Sequence, residues 1–214
     1  MIGFAALCLV ATAALLVAQH RDSMLGIWIA KPLAATAYIG AALAVGALDT
    51  AYGRMVLAAL VLSWFGDVFL IPRGAPRSFK AGVLSFLLGH VAFTLAFVLR
   101  GLDWLAVAVT AAAAAVVAAA LLRWLRPHLP RDLAAVVHVY VAVISLMLVA
   151  AAGTAVALGG AAIFVGALMF YVSDLAVARE RFVASSFSNS AWGLPLYFGG
   201  QLVLASTVAQ GAAW

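Results

Sequence analysis

Asp67 and Asp174 are the residues of this 214-residue chain most suited to chemistry, because both lie inside long apolar runs. An ionisable group within hydrocarbon is costly, and one kept there marks a candidate site. The other acidic residues (Asp22, Asp49, Asp103, Asp132 and Glu180) fall in connectors or at helix starts, where capping and solvation account for them. The two aspartates stand in similar settings, Ser63-Trp64-Phe65-Gly66-Asp67 and Phe170-Tyr171-Val172-Ser173-Asp174, each four residues before its run ends. At 1.5 Å of rise per residue, each carboxyl then lies roughly 6 Å inside the same membrane boundary. One matched pair is thin support for a repeated four-helix unit of parallel topology, and the packing must decide it.

Two carboxyls held in unlike environments can supply a proton donor, an anion and a base, as in glycoside hydrolysis. A low-dielectric site favours the neutral form of an unpaired carboxyl. Lys31, at a membrane edge and followed by Pro32, reads either as a lysine snorkelling to the interface beside a helix start or as the counter-charge that keeps the other one ionised, and it can reach either helix. A purely structural role, an interhelical hydrogen bond, explains one such aspartate as well as a catalytic role does. Two at equal depth on one side favour function. His90 and His138 are the histidines within the membrane, and with Ser63 and Ser173 they are candidate supports. By depth, His90 is expected too far in to touch the aspartates, whereas His138 is shallower and better placed. Asp67, Asp174 and His138 are a minimal set for a metal, but zinc wants three protein ligands and calcium six or more oxygens. No metal is expected.

The elements that must position these groups follow from composition. The chain is 68% hydrophobic and 9% charged, with a mean hydropathy of +1.19. A water-facing surface needs about a quarter of residues charged, so the bilayer is the solvent, and backbone groups must be satisfied within helices. Spanning runs fall at about 2–19, 26–47, 54–71, 80–99, 102–122, 132–152, 158–178 and 191–210. The expected fold is therefore all-α, a polytopic bundle of about eight transmembrane helices forming one membrane domain over residues 1–214. The first run lacks a positive leader and is long enough to span, so it reads as a helix rather than a signal peptide. Arg21, Lys31, Arg73, Arg77, Lys80, Arg123, Arg126, Arg131, Arg179 and Arg181 lie on one side, against Arg54 and Arg100 on the other. The positive-inside rule then places both termini outside the cytoplasm. The net charge of +5 is scattered through loops, with no patch for nucleic acid. Cys8, the lone cysteine, excludes an intrachain disulfide.

Several segments, in order, resemble those of the lysoplasmalogenase family, the YhhN-like membrane proteins. They are Lys31-Pro32-Leu33, Ser63 to Leu70, Phe86 to Phe93 and Ser173-Asp174, with Tyr140 to Met147 and Tyr197 to Leu202 beside them. The resemblance implies an eight-helix enzyme of the bacterial inner membrane that hydrolyses the vinyl ether of a lysophospholipid, taken from the surrounding membrane lipids. The implied products are a fatty aldehyde and glycerophospho-ethanolamine or -choline, and no redox cofactor is implied. That chemistry suits Asp67 and Asp174 as the catalytic pair. Arg73, Arg77, Lys80, Arg179 and Arg181, which follow the same helices, are candidates for the headgroup phosphate. The competing class is a small-solute or lipid transporter that uses the aspartates as a proton relay. Its mark, matched Gly/Pro breaks in corresponding helices, is missing, since Pro195 has no equivalent four helices earlier. Oligomeric state leaves no trace in the sequence.

Overall fold

Residues 1–211 are described by the computed structural model, and among them eight long α-helices form an all-α bundle. They are α1 (Ile2–His20), α2 (Met24–Leu43), α3 (Ala51–Phe69), α4 (Pro76–Leu99), α5 (Trp104–Leu125), α6 (Arg131–Leu158), α7 (Ala162–Ala178) and α8 (Phe187–Ser206). A short π-helical stretch, Arg179–Val183, ends α7, and a 3-10 turn, Thr207–Gly211, ends α8.

Local signals account for where these helices stop and start. Ser23, Thr50 and Asp103 cap α2, α3 and α5 by accepting from the backbone N–H groups of Gly26, Gly53 and Ala106. α4 starts earlier than its hydropathy predicts because Pro76 sits in its first turn, where a missing N–H costs nothing. α2 ends at Leu43, short of the predicted 47, and the chain turns through Gly46 at φ +84°. α6 runs on to Leu158 until Gly159, at φ +67°, closes it with a left-handed cap.

Seven of the helices are long and apolar enough to cross a membrane, and α8 falls outside that group. Its sequence carries Asn189 and Gln201, which lower its hydropathy, yet both side chains are buried inside the bundle. α8 packs on α1, α2, α3 and α7, so its polar groups face protein. The outer surface is the inverse of a soluble protein's. α5 buries only Ala114 and Leu125 and exposes Trp104, Leu105, Val109 and Val116. A helix apolar on every side must be buried, and one that protein leaves uncovered finds that burial in lipid. The chain is an integral, multi-pass membrane protein.

The α7–α8 seam depends on two glycines. A Cβ on Gly200 would stand 2.9 Å from the Gly166 carbonyl oxygen and 3.2 Å from the Phe170 nitrogen, both backbone atoms that cannot step aside. Gly200→Ala is therefore expected to destabilise the bundle by about 1–3 kcal/mol, the usual cost of overpacking. Thermal unfolding in detergent would show this as a lowered midpoint.

Candidate functional site

Asp67 is almost fully buried and receives three donors from two neighbouring helices. Lys31 Nζ of α2 lies 3.3 Å from its Oδ1. The hydroxyls of Tyr38, also on α2, and Tyr197 on α8 donate to Oδ2 at 3.2 and 2.6 Å. Lys31 and Tyr38 are about two turns apart, so they project from one face of α2 toward the same carboxylate. The two tyrosine oxygens are themselves 3.3 Å apart.

Asp174, on α7, has a sparser setting. Tyr140 of α6 donates to its Oδ2 at 2.7 Å, and His90 Nε2 of α4 lies 3.7 Å from the same oxygen, beyond hydrogen-bond length. The His90 ring is fully buried, neither nitrogen has a hydrogen-bond partner among the described residues, and Phe170 packs on it at 4.5 Å between centroids. Depth along the helix predicted His90 to be too far in to meet an aspartate. Helical side chains lean toward their own N-terminus, however. α4 and α7 run in opposite directions, so His90 leans outward as Asp174 leans inward, and they meet.

His138 shows the opposite departure. It is exposed, its Nδ1 lies 2.6 Å from the Ala134 carbonyl oxygen, and it is not among the described residues lining the cavity. α6 turns Leu133, Val137 and Tyr140 inward at helical spacing, which puts position 138 on the outer face. Ser63 is buried beside Gly89 without a hydrogen-bond partner among the described residues, and Ser173 donates to the Phe170 carbonyl at 2.7 Å. Neither serine is bonded to an aspartate.

Lys31, Asp67, Tyr140, Asp174 and Tyr197 line one cavity of about 920 Å³. Arg73, Lys80 and Arg181 lie along its rim. Arg73 is ion-paired with Asp22, Lys80 stands 3.4 Å from Asp132, and the Arg181 guanidinium lies 4.2 Å above the Phe79 ring. Arg77 and Arg179 are not among the described lining residues. Arg77 is exposed, and Arg179 donates to the Asn189 side chain. Apolar residues of α4, α5 and α6, including Leu84, Leu121, Val136 and Ile144, form another wall. Among the described residues, no three His, Cys, Asp or Glu side chains gather as metal ligands do.

Tyr38, Tyr140 and Tyr197 were not legible as site residues. One signal was present. A tyrosine deep in an apolar run must find a partner for its hydroxyl, and a buried carboxyl is the strongest acceptor on offer.

The arrangement places a cation-anchored carboxylate and a second carboxyl on one cavity that has a basic rim and an apolar wall. That is suited to acid chemistry on a phosphate-bearing amphiphile. The YhhN family model matches residues 26–208. The chain is 30% identical over 166 residues to lysoplasmalogenase TMEM86A of Bos taurus, which covers 72% of this chain and 65% of that protein. The chain thus spans slightly less than two thirds of that relative's length. No solved structure matches it.

Proposed function

Because the chain belongs to the YhhN family, we propose that it is a membrane hydrolase that cleaves the vinyl ether bond of lysoplasmalogens. The observation that carries the reading is that Asp67 and Asp174, from different helices, line one cavity with a basic rim. The name of the bovine relative points to the same substrate. The products would be a fatty aldehyde and glycerophospho-ethanolamine or -choline.

A vinyl ether hydrolyses by proton transfer to its β-carbon, which leaves an oxocarbenium ion. Water adds to that ion and gives up a proton, and the hemiacetal collapses to aldehyde and alcohol. The site must therefore hold a proton donor, an anion near the developing positive charge, and a base for the water. Asp67, fixed by Lys31, Tyr38 and Tyr197, has the surroundings of the anion. The alkenyl chain would lie along Leu84, Leu121 and Val136, with the phosphate at Arg73, Lys80 and Arg181. On the positive-inside reading this rim faces the cytoplasmic leaflet of a bacterial inner membrane, with both termini on the other side. Lipid substrate would then enter from that leaflet.

The test is aldehyde release from lysoplasmenylethanolamine by the purified chain, beside the ester-linked lysolipid as control. Release from the vinyl ether alone is the expected result. No release from folded protein across a range of pH would overturn the reading and favour proton-coupled transport. The rim carries its own prediction. Arg73→Ala/Arg181→Ala should raise KM about tenfold, because two charge contacts to phosphate are lost and solvent screening at the exposed rim leaves each worth up to about 1 kcal/mol. Since the phosphate is bound equally before and during the reaction, kcat should change little. Steady-state kinetics on the double variant would separate the two effects.

A further inference from the structure

The two halves of the bundle share one packing plan in their consecutive helix pairs, although among the described residues α8 also packs on α1 and α3 where α4 makes no comparably close backbone approach to α5 or α7. α1 packs on α2 as α5 packs on α6, α2 on α3 as α6 on α7, and α3 on α4 as α7 on α8. α2 also meets α8 as α6 meets α4. Each carboxyl occupies the same point of this plan. Asp67 of α3 is met by Tyr38 from α2 and Tyr197 from α8. Asp174 of α7 is met by Tyr140 from α6 and His90 from α4. The stretch of chain from Asp67 to Asp174 is as long as that from His90 to Tyr197. Two turns before Tyr38 stands Lys31, and two turns before Tyr140 stands Leu133. Both positions line the cavity.

We propose that this one exchange, Lys31 in the first half against Leu133 in the second, makes two carboxyls of a common plan chemically unlike, with Asp67 the anion and Asp174 the neutral acid. The use made of the proton rests on the hydrolase reading, but the protonation itself does not.

Asp67 has an ammonium group and two hydroxyls, a full set of donors for a carboxylate. Asp174 has one hydroxyl, and where the first half offers a cation it has a buried leucine. A second anion there would have no Lys or Arg ion-paired with it among the described residues, on the cavity that already holds the Asp67 charge. Keeping the proton avoids that cost. The neighbouring group able to become a cation is His90. At 3.7 Å from Oδ2, His90 Nε2 makes no hydrogen bond to the Asp174 carboxyl. With Tyr140 donating to Oδ2, the proton sits on Oδ1. It passes to the β-carbon of the vinyl ether, and the water that adds to the oxocarbenium ion returns a proton to the Asp174 carboxylate. Leu133 touches no reacting atom; it is a positioning residue that acts through Asp174.

Infrared difference spectra of the purified full chain at neutral pH test this without any substrate. The carboxylic-acid C=O band of the wild type should vanish in Asp174→Asn and persist in Asp67→Asn. A wild type with no such band, or a band lost only in Asp67→Asn, overturns the proposal. Leu133→Lys should abolish the band and lower aldehyde release about a hundredfold or more, whereas Leu133→Met, which stays apolar, should keep the band. A folded Leu133→Lys protein that keeps the band also overturns it. Should Leu133→Lys fail to fold, Lys31→Met decides, since it should add a second acid band from Asp67; no added band refutes the role of this position. If the spectra are as expected and no aldehyde is released, the substrate reading fails and the protonation assignment stands.

Discussion

Asp174→Asn is expected to lower kcat for aldehyde release by about 10²–10⁴-fold, the range for removing a positioned general acid. The substitution keeps size and shape, and Tyr140 can still donate to the remaining carbonyl oxygen, so the fold should survive. What disappears is the exchangeable proton. KM should hardly move, because the group acts on the transition state and the cavity walls and rim are unchanged. Asp67→Asn should show a loss of similar order for a different reason. It removes the charge that faces the developing oxocarbenium ion, and preorganised charge in a dry site is commonly the largest catalytic contribution. The deciding measurement is aldehyde release by both variants, purified in detergent and shown to be folded. Full activity in either would remove that residue from the mechanism.

Lys31→Met is expected to cost stability as well as activity. The Lys31 side chain is 12% exposed and that of Asp67 2%, so the pair has left water almost entirely. Removing one partner of a buried pair leaves the other charge uncompensated, which costs about 3–5 kcal/mol. Part of this is recovered if Asp67 takes up a proton, but then the site loses its anion and turnover falls with it. The double variant Lys31→Met/Asp67→Asn should regain most of the lost stability while remaining inactive, because no unpaired charge is left. Unfolding midpoints of the two single variants and the double variant form a cycle that isolates the coupling. Additive losses would show that the pair contributes little and that the tyrosines hold the carboxylate unaided.

Much of this protein was legible without coordinates. The all-α membrane fold follows from runs such as Ala106 to Leu122, since hydrocarbon leaves a spanning backbone few ways to satisfy its hydrogen bonds. Asp67 and Asp174 stood out by the same local logic, because a carboxyl inside such a run is expensive wherever its helix packs. Lys31 was recognisable as a counter-charge, though not as the partner of Asp67 in particular. Helix ends were read less well: α4 begins at Pro76 rather than 80 and α6 runs to Leu158 rather than 152, because local capping signals and not hydropathy set those ends.

Tertiary structure alone decided which groups meet. His90 reaches Asp174 and His138 does not, because antiparallel helices lean their side chains toward one another and α6 turns its 138 position outward. The three tyrosines carry no site role in the sequence, although Tyr140 and Tyr197 open segments that resemble the family's, until α2, α6 and α8 bring their hydroxyls to the carboxyls. The polar residues of α8 look unsuited to a spanning helix until α1, α2, α3 and α7 are seen to cover it. Leu133 carries no mark in the sequence at all, and its meaning comes from standing where Lys31 stands in the other half. Hydropathy and residue cost are properties of single positions and their near neighbours in the chain, so a sequence displays them. Which carboxyl has a cation beside it depends on helix pairing and on the direction of each side chain, and only the packed bundle determines that.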